Sequence, residues 1–82
     1  MEKIYQSILE IILMEDETTP NWDLIRFRIM SIMEKLNSGN LWDDVEGVVH
    51  RYLDDLDIRQ RDSKYGAWQR EQARRFIQCQ LQ

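Results

Sequence analysis

The sequence predicts an all-α fold, a small antiparallel bundle of four helices, or of three with a broken third helix. Three observations point there. Apolar residues recur at helical intervals along four stretches, without the strict alternation of a strand. Polar breaks separate these stretches at 15–21 and 37–40, and 57–63 is an ambiguous junction in which the third helix either fades near Asp57 or continues through Arg61. The 82 residues make one domain, and its 43% apolar content is ordinary for a globular chain.

The first helix is predicted over Glu2–Asp16. Ile4, Ile8, Ile11, Ile12 and Glu15 keep the helical interval, and Tyr5, Leu9, Leu13 and Met14 widen the apolar arc. A helix apolar over most of its circumference is a buried one. In so short a chain this makes it the first candidate for a subunit interface, with a central helix of a monomer as the alternative. A homodimer is the expectation.

Thr19 followed by Pro20 fits an N-cap with proline at the first helical position, so the second helix is predicted over Pro20–Asn37. Trp22, Ile25, Ile29, Ile32, Met33 and Leu36 form its main arc. Leu24 and Phe27 lie on another side, which implies a second partner beyond the bundle. Met30 and Met33 add adaptable contacts, as in a promiscuous binding groove, at a spacing that is more often plain core.

Asn37-Ser38-Gly39-Asn40 is a turn in which Asn and Gly supply left-handed conformations and Asn40 caps the next helix. That third helix, Leu41–Leu56, is the most amphipathic stretch of the chain. Leu41, Trp42, Val45, Val48, Val49, Tyr52, Leu53 and Leu56 fall on one arc, and Asp43, Glu46, His50, Asp54 and Asp57 on the other. Glu46, His50 and Asp54 form an i, i+4, i+8 column that could ligate a metal. One helix seldom supplies a full ligand shell and there is no second His, so a solvated acidic face is favoured and no metal or other cofactor is expected. Gly47 costs up to about 1 kcal/mol relative to Ala in a helix. It either admits a close backbone or is simply tolerated.

The fourth helix is predicted over Lys64–Gln80, capped by Asp62 or Ser63. Tyr65, Trp68, Phe76 and Cys79 are predicted to share its inward face, with Ala73 and Ile77 at its margin, Arg70 and Arg74 opposite and Gly66 weakening its start.

Charge is divided along the chain. Residues 1–57 hold 13 acids and 5 bases, and residues 58–82 hold 2 acids and 6 bases. The basic segment can pack along the acidic body of the same or a second molecule, or reach an anionic partner. Arg59, Arg61, Lys64, Arg70, Arg74 and Arg75 interleave with aromatics as base-stacking proteins require, so nucleic-acid binding through Arg70, Arg74 and Arg75 is the alternative function. It is disfavoured, because the aromatics are predicted to face inward and the body is acidic. A helix-turn-helix DNA reader is rejected, since its recognition helix would present Asp43, Glu46, Asp54 and Asp57 to phosphates.

No Gly-rich phosphate loop and no nucleophile–base pair are found in the sequence, so no enzymatic activity is expected. The single cysteine, Cys79, excludes an internal disulfide. No secretory signal or membrane span is read, and the expectation is a soluble cytoplasmic protein without membrane contact. In size and style the chain resembles small bacterial helical proteins, a likeness that carries no residue over. The expected function is that of a non-catalytic protein–protein interaction module, a small adaptor, inhibitor or immunity-type factor. Its expected contact residues for a basic protein partner are Asp43, Glu46, Asp54, Asp57, Leu24 and Phe27.

Overall fold

The computed structural model describes residues 1–82 and contains five helices: α1 Glu2–Glu15, α2 Trp22–Ser38, α3 Gly47–Asp54, α4 Leu56–Arg61 and α5 Ser63–Gln80. No helix is long and apolar enough to cross a membrane. The all-α bundle is as predicted, with the predicted third helix interrupted and α4 formed over the ambiguous junction.

Helix α1 packs between α2 and α5. Arg28 of α2 lies 3.9 Å from Glu10, and the short connection at 16–21 turns α2 back along α1, so the two helices run antiparallel. Tyr5 meets Phe76 edge-on at 6.2 Å, while Glu15 and Asp16 meet Arg70 and Arg74, so α5 is antiparallel to α1 as well. Tyr5, Ile8, Ile11, Ile12 and Glu15 are buried. The apolar arc that pointed to a subunit interface is thus largely covered from within the chain. Leu13, 66% exposed, is what remains outside.

Helix α2 buries Ile25, Ile29, Ile32 and Leu36, as their spacing predicts. It begins two residues later than expected. The cap is Asn21, whose side chain accepts from the Leu24 amide, and neither Thr19 nor Pro20 belongs to the helix. At its other end the Leu41 amide donates to Leu36 O and the Asn40 amide to Asn37 O. With Asn40 at φ 53°, this is the paired arrangement of a left-handed helix stop. Asn40 therefore terminates α2 rather than capping the next helix, and Gly39 stays right-handed.

The predicted Leu41–Leu56 helix is not continuous. Trp42–Asp44 form a 3-10 turn, Val45 and Glu46 are extended, and α3 starts only at Gly47. A second break falls at Asp55, with φ −95° and ψ 21°. The apolar arc survives both interruptions, since Val49, Tyr52, Leu53 and Leu56 are buried and Leu41, Trp42, Val45 and Val48 pack against them. The break at Asp55 deprives the Tyr52 carbonyl of the amide four residues on, and Arg59 Nη1 donates to it instead.

Helix α5 is capped by Asp62, whose carboxylate accepts from the Tyr65 amide. Its buried positions are Gly66, Gln69, Ala73 and Ile77, a face rotated from the predicted one. Trp68 is 55% exposed and Cys79 lies at the surface. Pattern reading follows large apolar side chains, whereas this helix turns a glycine, an amide and an alanine inward. Gly66 is buried because α4 crosses there, with the Arg59 carbonyl 3.3 Å from where a Cβ would stand.

Candidate functional site

The chain's polar interior is a single network around Glu15 and Arg59. Arg59 Nε and Nη2 donate to the two Glu15 oxygens at 2.8 and 3.1 Å, and the guanidinium lies 3.8 Å from the centre of the Tyr52 ring. The Tyr52 hydroxyl donates to Glu15 Oε2 at 2.5 Å. Arg59 Nη1 also donates to Gln69 Oε1 at 2.8 Å. That turns the Gln69 amide group toward Asp55 Oδ2 and the Tyr65 hydroxyl, at 2.9 and 3.2 Å. Tyr65 in turn donates to Asp55 at 2.7 Å. Every buried side-chain polar atom has a partner. The network joins α1, α3, α4 and α5 and holds the kink between α3 and α4.

Its electrostatics follow from that geometry. Burial, reinforced by the Glu15 charge, pushes the Tyr52 hydroxyl far above its ordinary value. The hydrogen bond from Tyr65, helped by Gln69, holds the Asp55 carboxyl below the usual range, and the same bond raises Tyr65. The signal available in sequence was Glu15 itself, a carboxylate on the buried arc of α1. Arg59, Gln69 and the role of Asp55 lay outside what periodicity reveals.

The basic segment is used within the molecule. Arg70 reaches Asp16 at 2.8 Å and Glu15 at 3.4 Å, and Arg74 pairs with Asp16 and with Glu71. Arg75 pairs with Glu71 at 3.0 Å, and the two arginines hold the Glu71 carboxyl below its ordinary value. All three residues of the nucleic-acid alternative are thus engaged by carboxylates. The aromatic expected beside them to face inward, Trp68, faces outward.

The acidic candidates are distributed over two places. Asp57 lies 2.7 Å from Arg26 of α2, which holds its carboxyl low. Asp54 lies 3.1 Å from Nδ1 of His50, and the His50 ring packs on Trp42 at 4.8 Å. Asp54 and Asp57 line a depression together with Met30, Met33 and Leu53. Glu46 is the residue before α3, one helix length away (roughly 12 Å at 1.5 Å per residue), and its charge bears on the Tyr5 hydroxyl. Asp43 is exposed on the 3-10 turn. Glu46 and Asp43 make no ion pair. Nowhere do three His, Cys, Asp or Glu side chains gather as a ligand set, so the Glu46–His50–Asp54 column does not assemble a metal site.

The apolar candidates Leu24 and Phe27 are 40% and 58% exposed on the outer face of α2, and Met30, 62% exposed, continues them. Phe27, Met30, Ser31, Met33, Glu34 and Asn37 line an open trough of about 600 Å³. Met30 and Met33 border both this trough and the depression holding Asp54 and Asp57, so the apolar strip and part of the acidic face are continuous. Asp23 and Glu34, both exposed and in no ion pair, flank the strip one turn beyond Phe27 and Met30. Met30, read in the sequence as an adaptable contact of groove or core, is exposed and extends the strip.

No family model matches the chain, and no curated protein or solved structure is significantly similar to it.

Proposed function

We propose that the protein is a non-catalytic protein–protein interaction module, an adaptor, inhibitor or immunity-type factor, that docks an amphipathic helix of a basic protein partner on the outer face of α2. The observation that carries this reading is the strip Leu24, Phe27 and Met30, left uncovered by a bundle whose own core is complete. Neighbouring large apolar side chains at helical spacing are anchors of the kind that seat in a partner, with energy concentrated in a few of them. Asp23 and Glu34 at its ends, neither in an ion pair, favour a lysine- or arginine-rimmed partner and faster encounter, while Asp54 and Asp57 beside it are held by His50 and Arg26. Asp43 and Glu46 extend the acidic field beyond the contact itself.

A designed helical peptide with a leucine face and lysine flanks serves as the probe. NMR titration is expected to shift α2 resonances around Phe27, and Phe27→Asp to weaken binding about tenfold or more. Shifts confined to other helices, or unchanged affinity in Phe27→Asp, would reject the surface. Light scattering at several concentrations reads the homodimer expectation separately. A dimer dissociated by Phe27→Asp would make a second copy of the chain the occupant.

A further inference from the structure

A second surface stands apart from the α2 strip. Between α3 and α5 lies a groove of about 500 Å³ whose lining includes Val48, Arg51, Tyr65, Trp68 and Gln72. We propose that this groove is a binding site for a small planar aromatic molecule carrying one negative charge.

Tyr65 and Trp68 form its wall, ring centres 5.7 Å apart and tilted by 42°. That wall is preorganised, because the Tyr65 hydroxyl is fixed by Asp55 and by the Gln69 amide. The Trp68 indole, by contrast, leaves more than half of its residue surface open where a planar ligand could stack. One cation lines the groove. Arg51 makes no side-chain hydrogen bond and no ion pair, although most other arginines of the chain are paired with a carboxylate. The nearby carboxylate, Asp55, accepts from Tyr65 and Gln69 at Oδ2, and Arg51 bears on it through space without forming an ion pair. Gln72 is half-buried and its amide is likewise without a partner, so it is free to accept or donate to a ligand.

The lining chemistry and the volume are those of a small-molecule site. The volume lies within the roughly 300–1,000 Å³ of small-ligand sites, and an aromatic lining with a few convergent polar groups is their usual composition. A single lining cation calls for a single negative charge, and a planar guanidinium suits a carboxylate above a compact anion. The site shares no lining residue with the α2 strip and stands or falls independently of it.

The probes are 2-naphthoate and its uncharged analogue 2-naphthamide, titrated into the full chain and followed by the indole N–H resonances of its three tryptophans. The Trp68 resonance, assigned with Trp68→Phe, is expected to shift saturably with the acid, and the amide to bind about three- to tenfold more weakly. Arg51→Gln should bring the acid down to the affinity of the amide without changing the amide. Gln72→Ala should weaken both. Equal affinity for acid and amide, or indifference to Arg51→Gln, would overturn the proposal. So would a shift at Trp22 or Trp42 in place of Trp68. Arg51 is exposed and makes no side-chain hydrogen bond or ion pair, and an unchanged thermal midpoint in Arg51→Gln separates binding from folding.

Discussion

Glu15 of α1 and Arg59 of α4, 44 residues apart, meet as a bidentate ion pair with both side chains wholly out of water. An isolated buried charge is costly, and here each charge is neutralised by the other, while Glu15 also accepts from Tyr52 and Arg70 and Arg59 donates to Gln69. Removing one partner by Glu15→Gln or Arg59→Met leaves the other uncompensated and should cost about 3–5 kcal/mol. That is a large part of the roughly 4–12 kcal/mol expected for a domain of this size. In the double variant Glu15→Gln/Arg59→Met the charge penalty vanishes, so it should be more stable than the sum of the single losses requires. Urea denaturation of the four proteins reads the coupling, and strictly additive losses would contradict it.

Tyr52 is predicted to confer sensitivity to alkali. Its hydroxyl is raised far above the ordinary tyrosine value by burial and by the Glu15 carboxylate, because a phenolate there would face that charge without water. A raised value means that the stabilisation is complete below the unfolded value, about pH 10, and is lost as pH climbs past it. Tyr52→Phe should lower stability at neutral pH by about 1.5–3 kcal/mol, the range of a hydrogen bond to a charged acceptor. Above pH 10 the wild type should lose stability faster than the variant. Tyr5 and Tyr65 are raised too but are common to both proteins, so the difference belongs to Tyr52. Parallel stability curves across that range would refute the assignment.

The helices that periodicity specifies strongly were legible. Ile25, Ile29, Ile32 and Leu36 are inside as their spacing requires, and Asp62 caps α5 as its position suggests. The breaks around α3 were not legible, because the apolar arc of Leu41–Leu56 looks the same whether its backbone is continuous or interrupted. What interrupts it is tertiary, with Arg59 replacing an amide at Tyr52 O and Tyr65 and Gln69 holding Asp55. The inward face of α5 escaped for a related reason, since Gly66 and Gln69 carry no hydrophobic signal. Leu24 and Phe27 were read as lying off the main arc, and both are exposed there. Asp54 and Asp57 proved to be neighbours of that strip through Met30 and Met33, a juxtaposition between helices that no single-helix projection contains.

Gly47 and Gly66 should respond oppositely to the same substitution. A Cβ on Gly47, the first residue of α3, would meet no atom within 4 Å. Gly47→Ala therefore gains helix propensity without a clash and should stabilise the protein by up to about 1 kcal/mol. A Cβ on Gly66 would stand 3.0 Å from Arg70 Nη1 and 3.3 Å from the Arg59 carbonyl. The guanidinium is tied to Asp16 and Glu15, and the carbonyl belongs to the backbone of the crossing helix, so neither yields freely. Overpacking of this kind costs about 1–3 kcal/mol and outweighs the propensity gain. Gly66→Ala should accordingly lower the thermal midpoint while Gly47→Ala raises it. A midpoint raised by both substitutions would mean that α4 and α5 can separate at this crossing without loss, and that Gly66 is not what allows their approach.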